Sequence, residues 1–242
     1  MIMVDLSKMD EKSLGKVFDY AILPKDTTRQ KVLDGAEEAK KWNCAAMYVS
    51  SPYWMPVLVE ALADSDVLPA CGINFAWGSS TPAVKEMEAV EAVRFGAKSI
   101  DMCLNLGALK DGDLDVVRDE LKRFKGAAGD AVLTKGILDM AFLTDDEIKR
   151  ACDLLIECQI DYMKTATGQF EGPSMEQFLV AKKACEGSDV KLKVSGVKFP
   201  RPQNAYAFIM AGADLIGTRA APEIISALST MREIGMIPKY AE

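Results

Sequence analysis

Three charged residues lie inside or at the end of short apolar segments of the chain. Asp101 lies within SIDMCLN, Lys164 ends QIDYMK, and Lys193 lies within VKLKVS. A single lysine in a strand is most often a solvated rim residue, but charged side chains are almost never fully buried without a partner. The recurrence of charges in apolar segments therefore predicts that they meet in one polar, functional interior.

Two lysines and a carboxylate in one pocket favour amine catalysis. A lysine is protonated near pH 7 and cannot attack a carbonyl group, whereas desolvation and a second cation lower its pKa and expose a nucleophilic amine. Lys164 together with Lys193 supplies this arrangement, and Asp101 is the natural proton relay. The small residues that follow Lys164 leave room for a substrate beside the amine, and their hydroxyls can hold its oxygens.

The segments that carry these residues belong to a repeating pattern of short apolar runs and stretches with helical periodicity. Eight such units in 242 residues are typical of a single-domain (β/α)8 TIM barrel, predicted over 1–242 with a short helix at about 7–16 before the first strand. An open doubly wound sheet is disfavoured because no glycine-rich phosphate fingerprint follows the first strand. The predicted strands are 18–23, 45–50, 69–75, 98–105, 131–138, 159–164, 190–195 and 213–218.

In such a barrel the chemistry lies at the C-terminal ends of the strands, and the loops after the seventh and eighth strands commonly bind phosphate. This placement predicts a set of substrate-binding residues around the three charged ones. The predicted set is Thr165, Thr167, Gly168, Ser195, Gly196, Lys198, Gly217, Thr218 and Arg219. Backbone N–H groups at the glycines can approach an anion closely, and Arg219 can meet it with two parallel hydrogen bonds.

Composition narrows the class of protein. A formal net charge of −7 argues against a nucleic-acid or membrane-surface partner. The chain contains no histidine, and its six cysteines are scattered, so neither a metal site nor a disulfide framework is expected. The N-terminal stretch has no basic flank followed by an apolar core, so we expect a cytoplasmic protein. Because amine catalysis by lysine uses only side chains, we expect no cofactor. A homo-oligomer is left open.

Three motifs resemble those of the deoxyribose-phosphate aldolase family, class I aldolases with a (β/α)8 barrel. They are IDMCLNLGALKDGD at 100–113, YMKTATG at 162–168 and KLKVSG at 191–196. The resemblance implies that the lysine of the second motif forms the Schiff base, that the aspartate of the first belongs to the proton relay, and that the lysine at 193 tunes the nucleophile. It extends over nearly the whole chain, including DYAILPKDTT and AGADLIGT.

The resemblance also implies a reaction, the reversible cleavage of 2-deoxy-D-ribose 5-phosphate to acetaldehyde and glyceraldehyde 3-phosphate, without a metal or organic cofactor. The departures from the family lie around the substrate. Arg219 stands where a hydroxyl of the phosphate-binding turn is expected, Val197 replaces a second glycine, and Tyr48 begins the YVSS that replaces the polar CVNP.

Two alternatives follow from these departures. One keeps the Schiff base but acts on a different small keto or aldehyde sugar, phosphorylated or not, and the altered loops motivate it. The other is a non-catalytic sugar-phosphate-binding protein. Lys164, Lys193 and Asp101 argue against the second, because a pure binding protein gains nothing from a lowered lysine pKa. Lys198 and Arg219 are open to a carboxylate, a phosphate or a purely solvated role.

Overall fold

Eight parallel strands pair in chain order, and the eighth returns to pair with the first. The computed structural model describes residues 4–241 of the chain. The strands are β1 (Phe18–Ile22), β2 (Ala46–Val49), β3 (Leu68–Ile73), β4 (Ser99–Cys103), β5 (Leu133–Ile137), β6 (Tyr162–Lys164), β7 (Lys191–Ser195) and β8 (Leu215–Thr218). Each lies within or beside its predicted segment, and the predicted closed (β/α)8 barrel is confirmed.

The α-helices are α1 (Glu11–Leu14), α2 (Arg29–Lys41), α3 (Met55–Ala61), α4 (Pro82–Arg94), α5 (Leu106–Asp111), α6 (Leu114–Ala128), α7 (Asp145–Glu157), α8 (Met175–Ala184), α9 (Arg201–Ala211), α10 (Ala221–Ser226) and α11 (Leu228–Glu233). Helices α2 to α9 connect consecutive strands, α1 precedes β1, and α10 and α11 follow β8. Within residues 4–241, no helix combines the length and the apolar character needed to cross a membrane.

Capping side chains begin several of the helices. Thr28 accepts a hydrogen bond from the third residue of α2, and Thr144 and Ser174 form capping boxes at α7 and α8. Each cap satisfies backbone N–H groups that the first turn leaves unpaired. Thr81 precedes Pro82 at the start of α4 as expected, but its side chain makes no capping bond.

The N-terminal segment differs from the single helix predicted at 7–16. Two 3-10 helices, Leu6–Lys8 and Gly15–Val17, flank the single turn of α1. Asp5 caps the first and Asp10 caps α1, so a new helix start interrupts the segment at Asp10. The aspartate that caps one helix turns the chain away from the previous one.

Strand register brings the predicted charges to one end of the barrel. Asp101 pairs across the sheet with Lys135, and Lys164 pairs with Lys193. Because all eight strands are parallel, their C-terminal ends meet at one face, and β4, β6 and β7 therefore present these side chains to a common interior.

A fully buried ion pair lies between β4 and the helices behind it. Lys85 of α4 donates to Glu120 of α6 at 2.5 Å and to the carbonyl oxygen of Cys103 at 2.9 Å. Glu120 in turn accepts from the backbone N–H of Asn105 at 2.8 Å. Both side chains are completely inaccessible to solvent. The pair thus fixes the backbone immediately after the strand that carries Asp101.

Candidate active site

A cavity of about 370 Å³ opens at the C-terminal face of the barrel. Nearly all of the residues predicted for the site line it. The predicted residues on its wall are Asp101, Lys164, Lys193, Thr167, Gly168, Ser195, Gly196, Gly217, Thr218 and Arg219. The structure therefore brings together charges and loops from β4, β6, β7 and β8, and leaves only Thr165 and Lys198 of the predicted set off the cavity wall.

Asp101 links the two predicted lysines. Its Oδ2 accepts hydrogen bonds from Lys164 Nζ and from Lys193 Nζ, each at 2.8 Å. All three residues are at least 95% buried, with exposed fractions of 5% for Lys164 and 1% for the other two. The second oxygen, Asp101 Oδ1, accepts no hydrogen bond from residues 4–241. It is therefore free to accept from a bound molecule.

The two lysines differ in proton affinity. Burial lowers the pKa of Lys164, and the nearby charge of Lys193 lowers it further, although Asp101 opposes both effects. Burial acts on Lys193 in the same sense, but Asp101 and Asp19 outweigh it and raise the pKa of Lys193. Burial would raise the pKa of Asp101, yet the two ammonium groups hold it well below its usual range. Lys164 is thus the lysine poised to lose its proton.

A second buried ion pair, absent from the sequence-based prediction, extends this network. Asp19 of β1 lines the cavity, and its Oδ2 accepts from Lys193 at 2.8 Å and from Lys135 at 2.7 Å. Burial lowers the pKa of Lys135 to about 8, against the opposing charge of Asp19. Asp19 stands in the apolar segment FDYAIL, so the signal that identified Asp101 applies to it as well.

Tyr48 of β2 forms the floor beneath these charges. The centroid of its ring lies 3.8 Å from Lys193 Nζ, and its hydroxyl shares a 2.6 Å hydrogen bond with Ser99 Oγ. The side chain is 97% buried. The sequence marked Tyr48 as a departure from the family around the substrate, but it gave no direction for the ring and so did not predict this contact.

Thr165 was predicted to face the cavity, but it does not line it. Its Oγ1 donates to the carbonyl oxygen of Ser195 and accepts from the N–H of Ser195, both at 3.0 Å. The hydroxyl therefore joins β6 to β7 instead of holding a substrate oxygen. Thr167 lines the cavity, and its N–H and Oγ1 both bind Asp139 Oδ1, at 2.6 and 3.0 Å. Asp139 thereby fixes the loop that follows Lys164.

The loops after β7 and β8 form the opposite end of the cavity. A side chain at Gly217 would collide with Ser195 Oγ and Lys193 Cε, so only glycine allows the backbone this close. Arg219 lies on the exposed rim, and Arg201, at the first residue of α9, also lines the cavity. The only carboxylate near Arg201 within residues 4–241 is Glu223, at 3.9 Å.

Lys198 points away from this end. Its Nζ pairs with Glu171 at 2.7 Å, and its side chain is half exposed. Arg201 was missed because it begins a helix three residues further on, where sequence alone gives no direction for a side chain. The cation set on the cavity wall is therefore Arg201 with Arg219, in place of the predicted Lys198 with Arg219.

A closed parallel barrel with a buried lysine of lowered pKa at its C-terminal face has the features of a lysine-dependent aldolase. Comparison with curated proteins finds deoxyribose-phosphate aldolases. That of Streptococcus suis (strain 98HAH33) is 38% identical over 213 residues, covering 88% of this chain and 96% of the relative. That of Geobacillus sp. (strain WCH70) is 34% identical over 215 residues, covering 89% and 96%. The chain belongs to the deoxyribose-phosphate aldolase family.

Solved structures agree on the fold. An aldolase called QR15 aligns with a TM-score of 0.82 at 30% identity, covering 93% of this chain and 99% of that one. A tetrameric deoxyribose phosphate aldolase from Aeropyrum pernix also gives a TM-score of 0.82, at 21% identity, covering 92% and 93%. A scan against models of protein families finds no match.

Proposed function

We propose that the protein is a class I aldolase that reversibly cleaves 2-deoxy-D-ribose 5-phosphate to acetaldehyde and glyceraldehyde 3-phosphate. Membership of the deoxyribose-phosphate aldolase family supports this reaction. The observation that carries the chemistry is the carboxylate oxygen of Asp101 shared by Lys164 and Lys193, each at 2.8 Å. This contact places a cation beside a buried amine and so favours the nucleophilic form of Lys164.

In the cleavage direction, Lys164 Nζ attacks C1 of the open-chain aldehyde, and loss of water gives the protonated imine. Removal of the C3 hydroxyl proton then breaks the C2–C3 bond, and its electron pair moves into the iminium group. Glyceraldehyde 3-phosphate forms, and the acetaldehyde carbons stay on Lys164 as an enamine. Protonation of the enamine at C2 followed by hydrolysis releases acetaldehyde and restores the amine. Every step uses a protein side chain, the substrate or water, so the proposal requires no cofactor.

Asp101 is the proposed acceptor of the hydroxyl proton, directly or through a water molecule. Asp101 lines the cavity, and its Oδ1 is free of hydrogen bonds from residues 4–241. In the resting site, two ammonium donors hold the pKa of Asp101 well below its usual range, after overcoming the effect of burial. In the protonated imine, the nitrogen of Lys164 keeps its positive charge but has one N–H instead of three, so it donates fewer hydrogen bonds and Asp101 is better able to accept a proton.

The far end of the cavity is the proposed site for the 5-phosphate. Arg201 and Arg219 converge there with the backbone of Gly196 and Gly217. Guanidinium groups bind phosphate through paired, charge-assisted hydrogen bonds, and glycine backbones allow close approach of N–H groups. Because the two arginines could equally bind a carboxylate, the alternative substrate is another small keto or aldehyde sugar with an anionic end.

Reductive trapping tests the function. The protein is incubated with acetaldehyde or 2-deoxyribose 5-phosphate and sodium borohydride, and the modified residue is located by mass spectrometry. We expect a stable adduct on Lys164, and none in Lys164→Arg, which keeps the charge but lacks a neutral amine. An adduct on Lys193 or Lys135, or no adduct with either carbonyl compound, would overturn the proposal. Turnover of 2-deoxyribose 5-phosphate against its unphosphorylated counterpart then identifies the substrate.

We place the enzyme in the cytoplasm. All six cysteines are buried free thiols, and unpaired cysteines of this kind suit a reducing compartment. Expression with a fusion to a fluorescent protein, followed by cell fractionation, checks the compartment. Recovery of the fusion in a secreted or membrane fraction would contradict it.

A further inference from the structure

The ammonium group of Lys193 rests on an aromatic face. Its Nζ lies 3.8 Å from the centroid of the Tyr48 ring, well within the distance at which a cation is attracted to the ring quadrupole. Lys193 and Tyr48 are both at least 97% buried, so water does not screen the contact. Burial strengthens such an interaction because the cation has no competing hydration.

The same ring treats the other lysines differently. It lies 5.1 Å from Lys135 Nζ and 5.9 Å from Lys164 Nζ, near the limit at which a cation–π contact has any effect. Tyr48 therefore stabilises positive charge on Lys193 more than on Lys164. The Tyr48 hydroxyl shares a 2.6 Å hydrogen bond with Ser99 Oγ and also lies beside the Asp101 carboxylate, so its effect must be measured apart from that of the ring.

We propose that Tyr48 is a positioning residue that acts through Lys193: its ring face holds the proton on Lys193 and thereby keeps the neighbouring Lys164 amine unprotonated. The inference deepens the proposed function and rests on the role given there to Lys164. Lys164 and Lys193 donate to the same oxygen of Asp101, so the two ammonium groups compete for one counter-charge. Whichever lysine is better stabilised as a cation leaves the other one neutral.

Several charged and titratable groups face Lys193, and their effects must be separated from that of the ring. They are Asp19 of β1, Tyr48 of β2, Asp101 of β4, Lys135 of β5 and Lys164 of β6. Asp19 and Asp101 stabilise the cation, whereas Lys135 and Lys164 oppose it. A test must therefore change the ring's electrostatics and leave every one of these charges in place.

Fluorination of the ring meets this requirement. Tyr48→Phe keeps the aromatic face and removes only the hydroxyl, and pentafluorophenylalanine at position 48 keeps the shape but withdraws electron density from that face. Tyr48→Leu removes the ring altogether. Competitive labelling with acetic anhydride as a function of pH, read by mass spectrometry, measures the free-amine fraction of Lys164 without any turnover. The exposed Lys239 serves as the internal reference for the reagent.

Tyr48→Phe lacks the hydroxyl but keeps the ring face, so it gives the reference midpoint of Lys164 labelling. With pentafluorophenylalanine or leucine at position 48 the midpoint should rise by about 0.5 to 1 pH unit, which lowers labelling at neutral pH by roughly three- to tenfold. Thermal unfolding confirms that each variant is folded, and the isosteric fluorinated ring decides the result if Tyr48→Leu does not fold. Equal midpoints for the phenylalanine and fluorinated proteins would show that Tyr48 is only a spacer.

The measurement separates this inference from the proposed function. A wild-type protein with a low Lys164 midpoint that fluorination raises, but with no aldolase turnover, would overturn the proposed reaction and leave the role of Tyr48 intact. Full turnover with no change of midpoint on fluorination would support the proposed reaction and overturn the role of Tyr48.

Discussion

Lys164 and Lys193 donate to one carboxylate oxygen, yet their surroundings shift their pKa values in opposite directions, lower for Lys164 and higher for Lys193. Lys193 has a second carboxylate, Asp19, at 2.8 Å and an aromatic ring beneath it. Lys164 has neither, and its side chain reaches the cavity, where a carbonyl compound can approach. The two lysines thus have different roles: Lys193 supplies the positive charge, and Lys164 supplies the nucleophilic lone pair.

Removing the positive charge of Lys193 tests whether it lowers the pKa of Lys164. Lys193→Leu should raise the pKa of Lys164, because the cation that opposes its protonation is lost and Asp101 is left with Lys164 alone. The acidic limb of the activity profile should move to higher pH as catalysis at neutral pH falls. The pH dependence of kcat/KM in wild type and variant measures the shift, and an unchanged profile would show that Lys193 is structural.

The proposed 5-phosphate site at the far end of the cavity leads to a prediction about substrate selectivity. Arg219→Ala and Arg201→Ala should each raise KM for a phosphorylated sugar far more than for its unphosphorylated counterpart, since a charge-assisted bond worth roughly 1.5–3 kcal/mol is lost only in the first case. Lys198→Ala is the matched control, because Lys198 pairs with Glu171 off the cavity. Steady-state kinetics on both sugars give the comparison. Equal effects on both would place the arginines outside the binding site.

The sequence identified those site residues that are anomalous where they stand. Asp101, Lys164 and Lys193 are charges in apolar strands, and such residues need a partner wherever the chain folds. Tyr48 and Arg201 are ordinary in their local context, so their roles depend on side-chain direction alone. Thr165 was assigned to the cavity because it directly follows Lys164, but a hydroxyl at a strand end is equally able to satisfy a neighbouring backbone, as it does with Ser195.

Among the elements, β4 is supported from behind by the buried pair of Lys85 and Glu120. Burial alone lowers the pKa of Lys85 and raises that of Glu120, so each group depends on the other to remain charged. The pair holds the carbonyl oxygen of Cys103 and the N–H of Asn105, two residues that follow Asp101 closely. Helices α4 and α6 are thereby tied to the strand that carries the proposed proton acceptor.

Lys85→Met should be strongly destabilising, by about 3–5 kcal/mol, because it leaves the Glu120 carboxylate buried without a cation. The double variant Lys85→Met with Glu120→Leu should regain part of that stability, since no charge is then left unpaired. The control is Lys110→Met, whose pair with Glu147 is partly exposed and should contribute at most about 1 kcal/mol. Denaturant unfolding measures all three, and similar losses for Lys85→Met and Lys110→Met would contradict the argument.

Strand β6 shows why element boundaries were harder to predict than the elements themselves. The apolar pattern predicted a strand at 159–164, but β6 occupies only Tyr162–Lys164. Gln159 takes a left-handed conformation with φ of 56°, and the carboxylate of Asp161 accepts from Thr134 N and Oγ1 at 2.8 and 2.6 Å. The backbone turn at Gln159 and the side-chain bonds of Asp161 delay the start of the strand, which hydrophobicity alone would place earlier.

Over the whole molecule, the distribution of charge is inverted between surface and interior. The chain carries a formal net charge of −7. Along the barrel axis, however, three lysines surround two carboxylates: Lys135, Lys164 and Lys193 around Asp19 and Asp101. With Arg201 and Arg219 on its wall, the cavity offers a local positive potential to an anionic substrate that the surface as a whole does not.

The buried carboxylate of Asp101 makes the free energy of unfolding depend on pH in the acid range. The pKa of Asp101 in the folded protein lies well below the value of about 3.9 in the unfolded chain, so the stability that it contributes is fully present at about pH 5 and is lost progressively as the pH falls below the unfolded value toward the folded pKa. Asp101→Asn should therefore reduce the proton uptake on unfolding in this window by about one proton. The free energy of unfolding measured from pH 2.5 to 5 gives the slope, with the exposed Asp34→Asn as control.

Tyr48, Lys135 and Tyr162 fill the axis below the charge network, with Lys135 Nζ 5.1 and 4.8 Å from the two ring centroids. The site is therefore a blind pocket reached from the rim where Arg219 lies. In such a pocket the carbons held on Lys164 are the deeper of the two fragments, and glyceraldehyde 3-phosphate lies between them and solvent. Departure must then be ordered, with the three-carbon fragment first, and in the synthetic direction acetaldehyde must load before its acceptor.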